Sequence, residues 1–126
     1  MHIEHINISA PIELLEKLKL FYCELFDLSV GFRPSSRING FWLYSGSNPI
    51  IHLAESSEHY QNEKQSYLDH IAFQRKGLKE LLFKLQSMQV SYTLDSLSEI
   101  GMTQVFFKDP SGLGLEVNFL NEKISD

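Results

Sequence analysis

The chain has 126 residues, 43% of them apolar and 21% charged, and its 11 basic and 16 acidic side chains leave a formal net charge of −5. That is enough chain for one small domain with a real core, and the composition is too ordinary for a disordered segment. The acidic balance, with no basic cluster longer than the pair Arg75–Lys76, argues against a nucleic-acid backbone or an anionic membrane as partner. The single cysteine, Cys23, rules out an internal disulfide framework and fits a reducing compartment. The opening MHIEHINIS has neither the basic nor the apolar stretch of a signal peptide. No apolar run approaches the roughly 20 residues that span a bilayer, so the expected location is the cytoplasm.

In chain order, residues 2–9 alternate, with Ile6 and Ile8 on one face and Ile3, His5 and Asn7 on the other, as a strand with one apolar face does. Ala10-Pro11 breaks it, and proline suits the first turn of a helix. Over 12–26 the spacing of Leu14, Leu15, Leu18, Phe21, Tyr22 and Leu25 predicts an amphipathic helix. Strands are expected at 28–33, 40–45 and 49–55, with Gly46-Ser47-Asn48-Pro49 as turn chemistry between the last two. Residues 56–66 are polar and aperiodic and read as a linker. The pattern then restarts: a strand at 68–74, a helix at 77–89 with Leu78, Leu81, Leu82, Leu85 and Met88 inward, and strands at 91–94, 102–108 and 114–120.

The two halves repeat in residues as well as in element order. Glu4-His5-Ile6 opens the first and Asp69-His70-Ile71 the second, 65 positions on, while His52 near the end of the first half precedes Glu116 by 64 positions. Such a repeat means two similar units, here module one at 1–55 and module two at 67–120 of one domain. The fold expected is α+β, with two tandem βαβββ modules whose sheets are each covered by a helix.

The apolar face of each strand is the partner for its helix, which leaves His5, His52, His70 and Glu116 on the opposite face. If the sheets curl, that face is a cup holding three imidazoles and a carboxylate. Imidazole and carboxylate suit one divalent Fe, Mn, Ni, Co or Zn ion, and two His with one carboxylate is a facial arrangement that leaves coordination positions open.

These features resemble the vicinal oxygen chelate superfamily, which includes glyoxalase I, extradiol dioxygenases, fosfomycin-resistance proteins and bleomycin-resistance proteins. The resemblance is carried by EHINI at 4–8, FYCELFDLSVGFR at 21–33, GFWLYSGSNPIIHLAE at 40–55, DHIAF at 69–73 and QVFFKDPSGLGLEVNF at 104–119. The last is the most specific, because a DPxG turn followed by a Glu-bearing strand closes most members. The resemblance implies His5, His70 and Glu116 as metal ligands. At the fourth ligand position His52 stands where glyoxalase I-like proteins carry a carboxylate, so His52 is either a fourth ligand or a free acid/base group near the metal. A homodimer is also implied.

Arg33, Arg37, Trp42, Tyr44, Gln104 and Phe106 are the candidates for contacting substrate; Gln104 and Phe106 share one strand face with Met102, and Trp42 and Tyr44 share another. Arg33 and Arg37 are suited to an anion. Cys23, in the first helix with nothing near it to lower its pKa, is rejected as a nucleophile. The function implied is a metal-dependent enzyme (dioxygenase, isomerase/lyase or transferase) acting on a small molecule chelated through adjacent oxygens. The alternative is a metal-free small-molecule binding or drug-sequestering protein of the bleomycin-resistance type.

Overall fold

A computed structural model describes residues 1–124, and the chain divides into two compact units, Met1–Glu63 and the chain from Lys64 on. In the first unit, β1 (Ile6–Ala10) leads into α1 (Ile12–Phe26), followed by β2 (Ser29–Gly31), β3 (Gly40–Ser45) and β4 (Asn48–Glu55). The strands form one sheet in the order β1-β4-β3-β2, with β1 parallel to β4 and the other pairs antiparallel. The second unit repeats this plan with β5 (His70–Gln74), α2 (Leu78–Ser87), β6 (Thr93–Leu97), β7 (Met102–Lys108) and β8 (Gly114–Leu120), in the order β5-β8-β7-β6. This is the tandem βαβββ fold expected from the repeat.

Alternation explains which residues close each core. In the first unit, Leu14, Leu15, Leu18, Phe21, Tyr22 and Leu25 of α1 are buried together with Leu43 of β3 and Ile51 and Leu53 of β4. In the second, Leu78, Leu81, Leu82 and Leu85 of α2 are buried, as are Thr103, Val105 and Phe107 of β7 and Leu115, Val117 and Phe119 of β8. A fully buried leucine contributes about 1.5–3 kcal/mol. Since α1 starts at Pro11 without any side-chain cap, packing rather than capping holds it. Asp27, in the left-handed region at φ 56°, ends that helix.

Several boundaries differ from the sequence reading; β5 begins at His70 rather than at 68, and α2 spans Leu78–Ser87 rather than 77–89. The first strand pairs only from Ile6, because β1 lies at the sheet edge and its register with β4 begins at Ile6↔Ile51. The second strand is shortened to Ser29–Gly31 by the end of its pairing with β3 at Gly31↔Trp42. The strand expected at 91–94 runs instead from Thr93 to Leu97, since a 3-10 turn at Ser98–Ile100 and Gly101 at φ 64° close the hairpin so that Leu97 meets Met102. Met88, expected inward, is half-buried just past the end of α2.

Candidate metal and substrate site

The face of each sheet turned away from its helix collects the polar side chains, and strand register decides which of them meet. In the second unit, Ala72, Glu116, Phe106 and Thr93 lie in one cross-strand row, and Gln74, Asn118, Gln104 and Asp95 in the next. His70 pairs with Gly114, two residues before Glu116, so the imidazole and the carboxylate are diagonal neighbours.

The turn that delivers Glu116 is built by Asp109. Its Oδ1 accepts hydrogen bonds from Ser111 N (2.8 Å), Ser111 Oγ (2.6 Å) and Leu113 N (3.1 Å), an Asx turn made with a buried carboxylate. Gly112, at φ 89°, takes the backbone conformation that the turn needs and a side chain disfavours.

Each group of this pair has one atom engaged and one atom open. Asp69 Oδ2 lies 2.9 Å from His70 Nδ1, which places the ring proton on Nδ1 and the lone pair on Nε2 when the imidazole is neutral. Glu116 Oε2 accepts from Gln104 Nε2 at 3.0 Å and from Asn118 Nδ2 at 2.8 Å. That leaves Glu116 Oε1 facing His70 Nε2 at 3.5 Å. Two lone pairs held this way repel unless a cation lies between them. The His70 pKa is accordingly raised, first by the hydrogen bond to Asp69 and further by the charges of Glu116 and Asp69, against an opposing effect of desolvation.

The donor set fits a divalent metal. Two ligand atoms about 2.1 Å from one ion at a tetrahedral angle lie about 3.4 Å apart, close to the observed 3.5 Å. A carboxylate on the far nitrogen of a histidine is the usual outer support of a metal-bound imidazole. Among the described residues, no three His, Cys, Asp or Glu side chains are gathered into a metal-holding group; what each unit assembles is a pair.

The first unit carries the equivalent pair, His5 and His52. Glu4 Oε1 lies 3.0 Å from His5 Nδ1, as Asp69 does from His70. His52, which faces Trp42 in register, is sandwiched between Trp42 (4.1 Å between centroids, 11°) and His5 (3.8 Å, 10°). Its Nε2 lies 3.1 Å from Pro49 O, so Nε2 carries the proton and Nδ1 is the acceptor. Burial lowers the His52 pKa, and His5 lowers it further, so the ring is neutral at pH 7. An imidazole binds a metal in its ring plane, and planes this nearly parallel do not converge on one ion.

The remaining candidates divide by what holds them. The Tyr44 hydroxyl donates to Phe32 O at 2.6 Å and its ring lies against Gly31, where a β-carbon would be 2.6 Å away. Arg33 donates to Ile38 O at 2.8 Å. Both are thus tied into the segment joining β2 to β3. Arg37, on that same segment, lines a hollow with Pro11, Glu13 and Glu55 at the start of α1. Cys23 is half-buried, and burial raises its thiol pKa against the lowering effect of Lys19. Sequence reasoning passed over three members of the site. Asn118 shares strand parity with Glu116, and Glu4 and Asp69 each precede a repeated histidine; the parity and the repeated acidic-His pair were the available signals.

Neither a protein-family model nor a curated protein sequence matches the chain. Solved structures do. A glyoxylase/bleomycin resistance protein/dioxygenase domain from Frankia sp. EAN1pec superposes with a TM-score of 0.77 at 17% identity, covering 94% of this chain and 97% of that one. A mutant of the fosfomycin resistance protein FosX from Listeria monocytogenes, complexed with Mn(II) and 1S,2S-dihydroxypropylphosphonic acid, superposes with a TM-score of 0.73 at 16% identity, covering 94% and 92%. An integron cassette protein from the mobile metagenome of the Halifax Harbour sewage outfall gives 0.64 at 23% identity, covering 92% and 97%. No helix of the described residues is long and apolar enough to cross a membrane. With its two βαβββ units and these neighbours, the chain has a glyoxalase-like fold, shared with the glyoxylase/bleomycin resistance protein/dioxygenase domain.

Proposed function

We propose that the chain is a divalent-metal-dependent enzyme acting on a small molecule that chelates the metal through adjacent oxygen atoms. The observation that carries this reading is the facing pair of His70 Nε2 and Glu116 Oε1, each with its other heteroatom already engaged. In this reading the two are metal ligands. His5 holds the repeat-equivalent position in the first unit, with the same carboxylate support at Nδ1. His52, neutral and with Nδ1 open, is a proton acceptor rather than a fourth ligand. A metal so held supplies Lewis acidity toward a developing oxyanion. The Mn(II) bound by the FosX neighbour makes manganese the first ion to try.

Elemental analysis of protein purified anaerobically without chelators tests the proposal, alongside the His5→Ala/His70→Ala double variant. The expected result is about one first-row metal per chain, lost in the variant. Iron would point to oxygen chemistry, zinc or nickel to isomerase or lyase work. No metal, and no uptake on titration, would overturn the proposal and favour the metal-free binding protein.

A further inference from the structure

The two units differ at one end of the sheet, beside the repeated histidine. In the second unit the start of β5, the end of β7, the start of β8 and the segment entering β6 surround a recess of about 670 Å³, within the range of small-molecule sites. Its walls are mainly apolar: Val90, Tyr92, Phe106, Phe107 and Leu115, with His70 at one side and Lys108 and Asp69 as its charged groups.

Register shows why the recess is open. Phe106 faces Glu116 as Trp42 faces His52, and Thr93 faces Phe106 as Gly31 faces Trp42. Lys108 then corresponds in sequence to Tyr44, and Gly114 to Ile50. In the first unit the Tyr44 ring folds onto Gly31 and is fixed there by its hydroxyl, and Trp42 is covered by His52. In the second unit Lys108 is exposed and supplies no ring. Gly114 has no room for a side chain, since a β-carbon there would lie 2.6 Å from Asp69 O and 3.1 Å from His70 Cβ. Phe106 therefore keeps a half-exposed face toward the recess.

We infer that this recess binds the ring of a small anionic aromatic compound, with the ring against Phe106 and Val90 and the anionic group toward Lys108. The Asp69 carboxylate is turned to His70 Nδ1, while Lys108 is exposed at the end of β7, so Lys108 is the cation available to an anionic group and an anion is preferred over a neutral or cationic ring. An aromatic ring fits the apolar walls by burial and by stacking on Phe106. The inference rests on the reading above for its substrate sense, because it puts the body of the substrate next to His70. Binding of the ring itself requires no metal.

Titration of the metal-free full chain with naphthalene-2-sulfonate, followed by amide NMR, is the test, with naphthalene-2-methanol and a naphthylmethylammonium salt as neutral and cationic counterparts. Saturable shifts confined to Val90–Thr93, Phe106–Lys108 and Gly114 are expected, with the sulfonate binding tightest. Lys108→Tyr, which restores the filler of the first unit, should weaken the sulfonate about tenfold or more, as should Phe106→Ala. Lys108→Arg should retain the preference for the anion. Absence of saturable shifts at these positions, or unchanged affinity in both Lys108→Tyr and Phe106→Ala, would overturn the inference. A protein that takes the sulfonate yet takes no metal would contradict the enzyme reading while leaving this site in place.

Discussion

His70 Nε2 and Glu116 Oε1 face each other at 3.5 Å across the parallel pair β5–β8. The first unit sets His5, just before β1, beside His52 of β4, yet there the rings stack face to face. One backbone plan thus yields two different pairs: one converges on a point, the other packs as a sandwich. The difference follows from replacing an imidazole, which offers a flat face, by a carboxylate, which offers only lone pairs.

Glu116→Gln tests the convergent pair. It keeps the shape and the two amide contacts but exchanges a charged donor for a weaker one. Mn(II) affinity measured by calorimetry should fall by more than the roughly 10–100-fold typical of an outer-shell partner, with the melting temperature little changed. Equal affinity in the variant would remove Glu116 from the ligand set.

The amides of Gln104 and Asn118 both hold Glu116 Oε2, which commits Oε1 to the side of His70. Asn118→Leu and Gln104→Leu should each weaken Mn(II) binding by about 10–100-fold without removing a ligand. Asn118 Oδ1 is buried without a partner, so Asn118→Leu should cost less stability than loss of a fully bonded amide. Unchanged metal affinity in both variants would make these amides packing groups only.

The two histidine shifts have opposite signs and opposite consequences. His52, lowered chiefly by burial, contributes stability present above its unfolded pKa of about 6.5 and lost as pH falls through its folded value. His70, raised chiefly by Asp69, contributes stability present below about 6.5 and lost as pH rises through its folded value. Proton NMR titration of the metal-free chain should place His52 below and His70 above the ordinary value, and Asp69→Asn should bring His70 down. A His70 pKa unmoved by Asp69→Asn would contradict the assigned cause.

Helix α2 begins at Gly77, whose own side chain cannot cap it. Glu122, beyond β8, instead accepts from Gly77 N at 3.1 Å and Leu78 N at 2.9 Å, while Thr103 Oγ1 donates to Glu122 O at 2.6 Å. Glu122→Ala should cost about 1 kcal/mol, read from denaturant unfolding. A variant as stable as the parent would show that water replaces the cap.

Much of this was legible in residue order, and the reason differs by feature. All six apolar positions assigned inward on α1 are buried, because a 3.6-residue period on an amphipathic helix has one solution. The open-face position of His52, His70 and Glu116 followed equally from strand parity. What could not be read was side-chain direction within that face. The sandwich of Trp42, His52 and His5, the bond from Tyr44 to Phe32 and the two amides on Glu116 depend on register between strands distant in sequence. The limits of β6 were misplaced because Ser98–Ile100 forms a 3-10 turn whose only turn signal is Gly101 just after it.

The most direct test of the central claim is anomalous diffraction at the manganese edge from crystals grown with Mn(II). The expected result is one strong peak within about 2.0–2.3 Å of both His70 Nε2 and Glu116 Oε1, absent in crystals of His70→Ala. A fully Mn(II)-saturated crystal with no peak at that pair, or with the ion bound elsewhere, would contradict it.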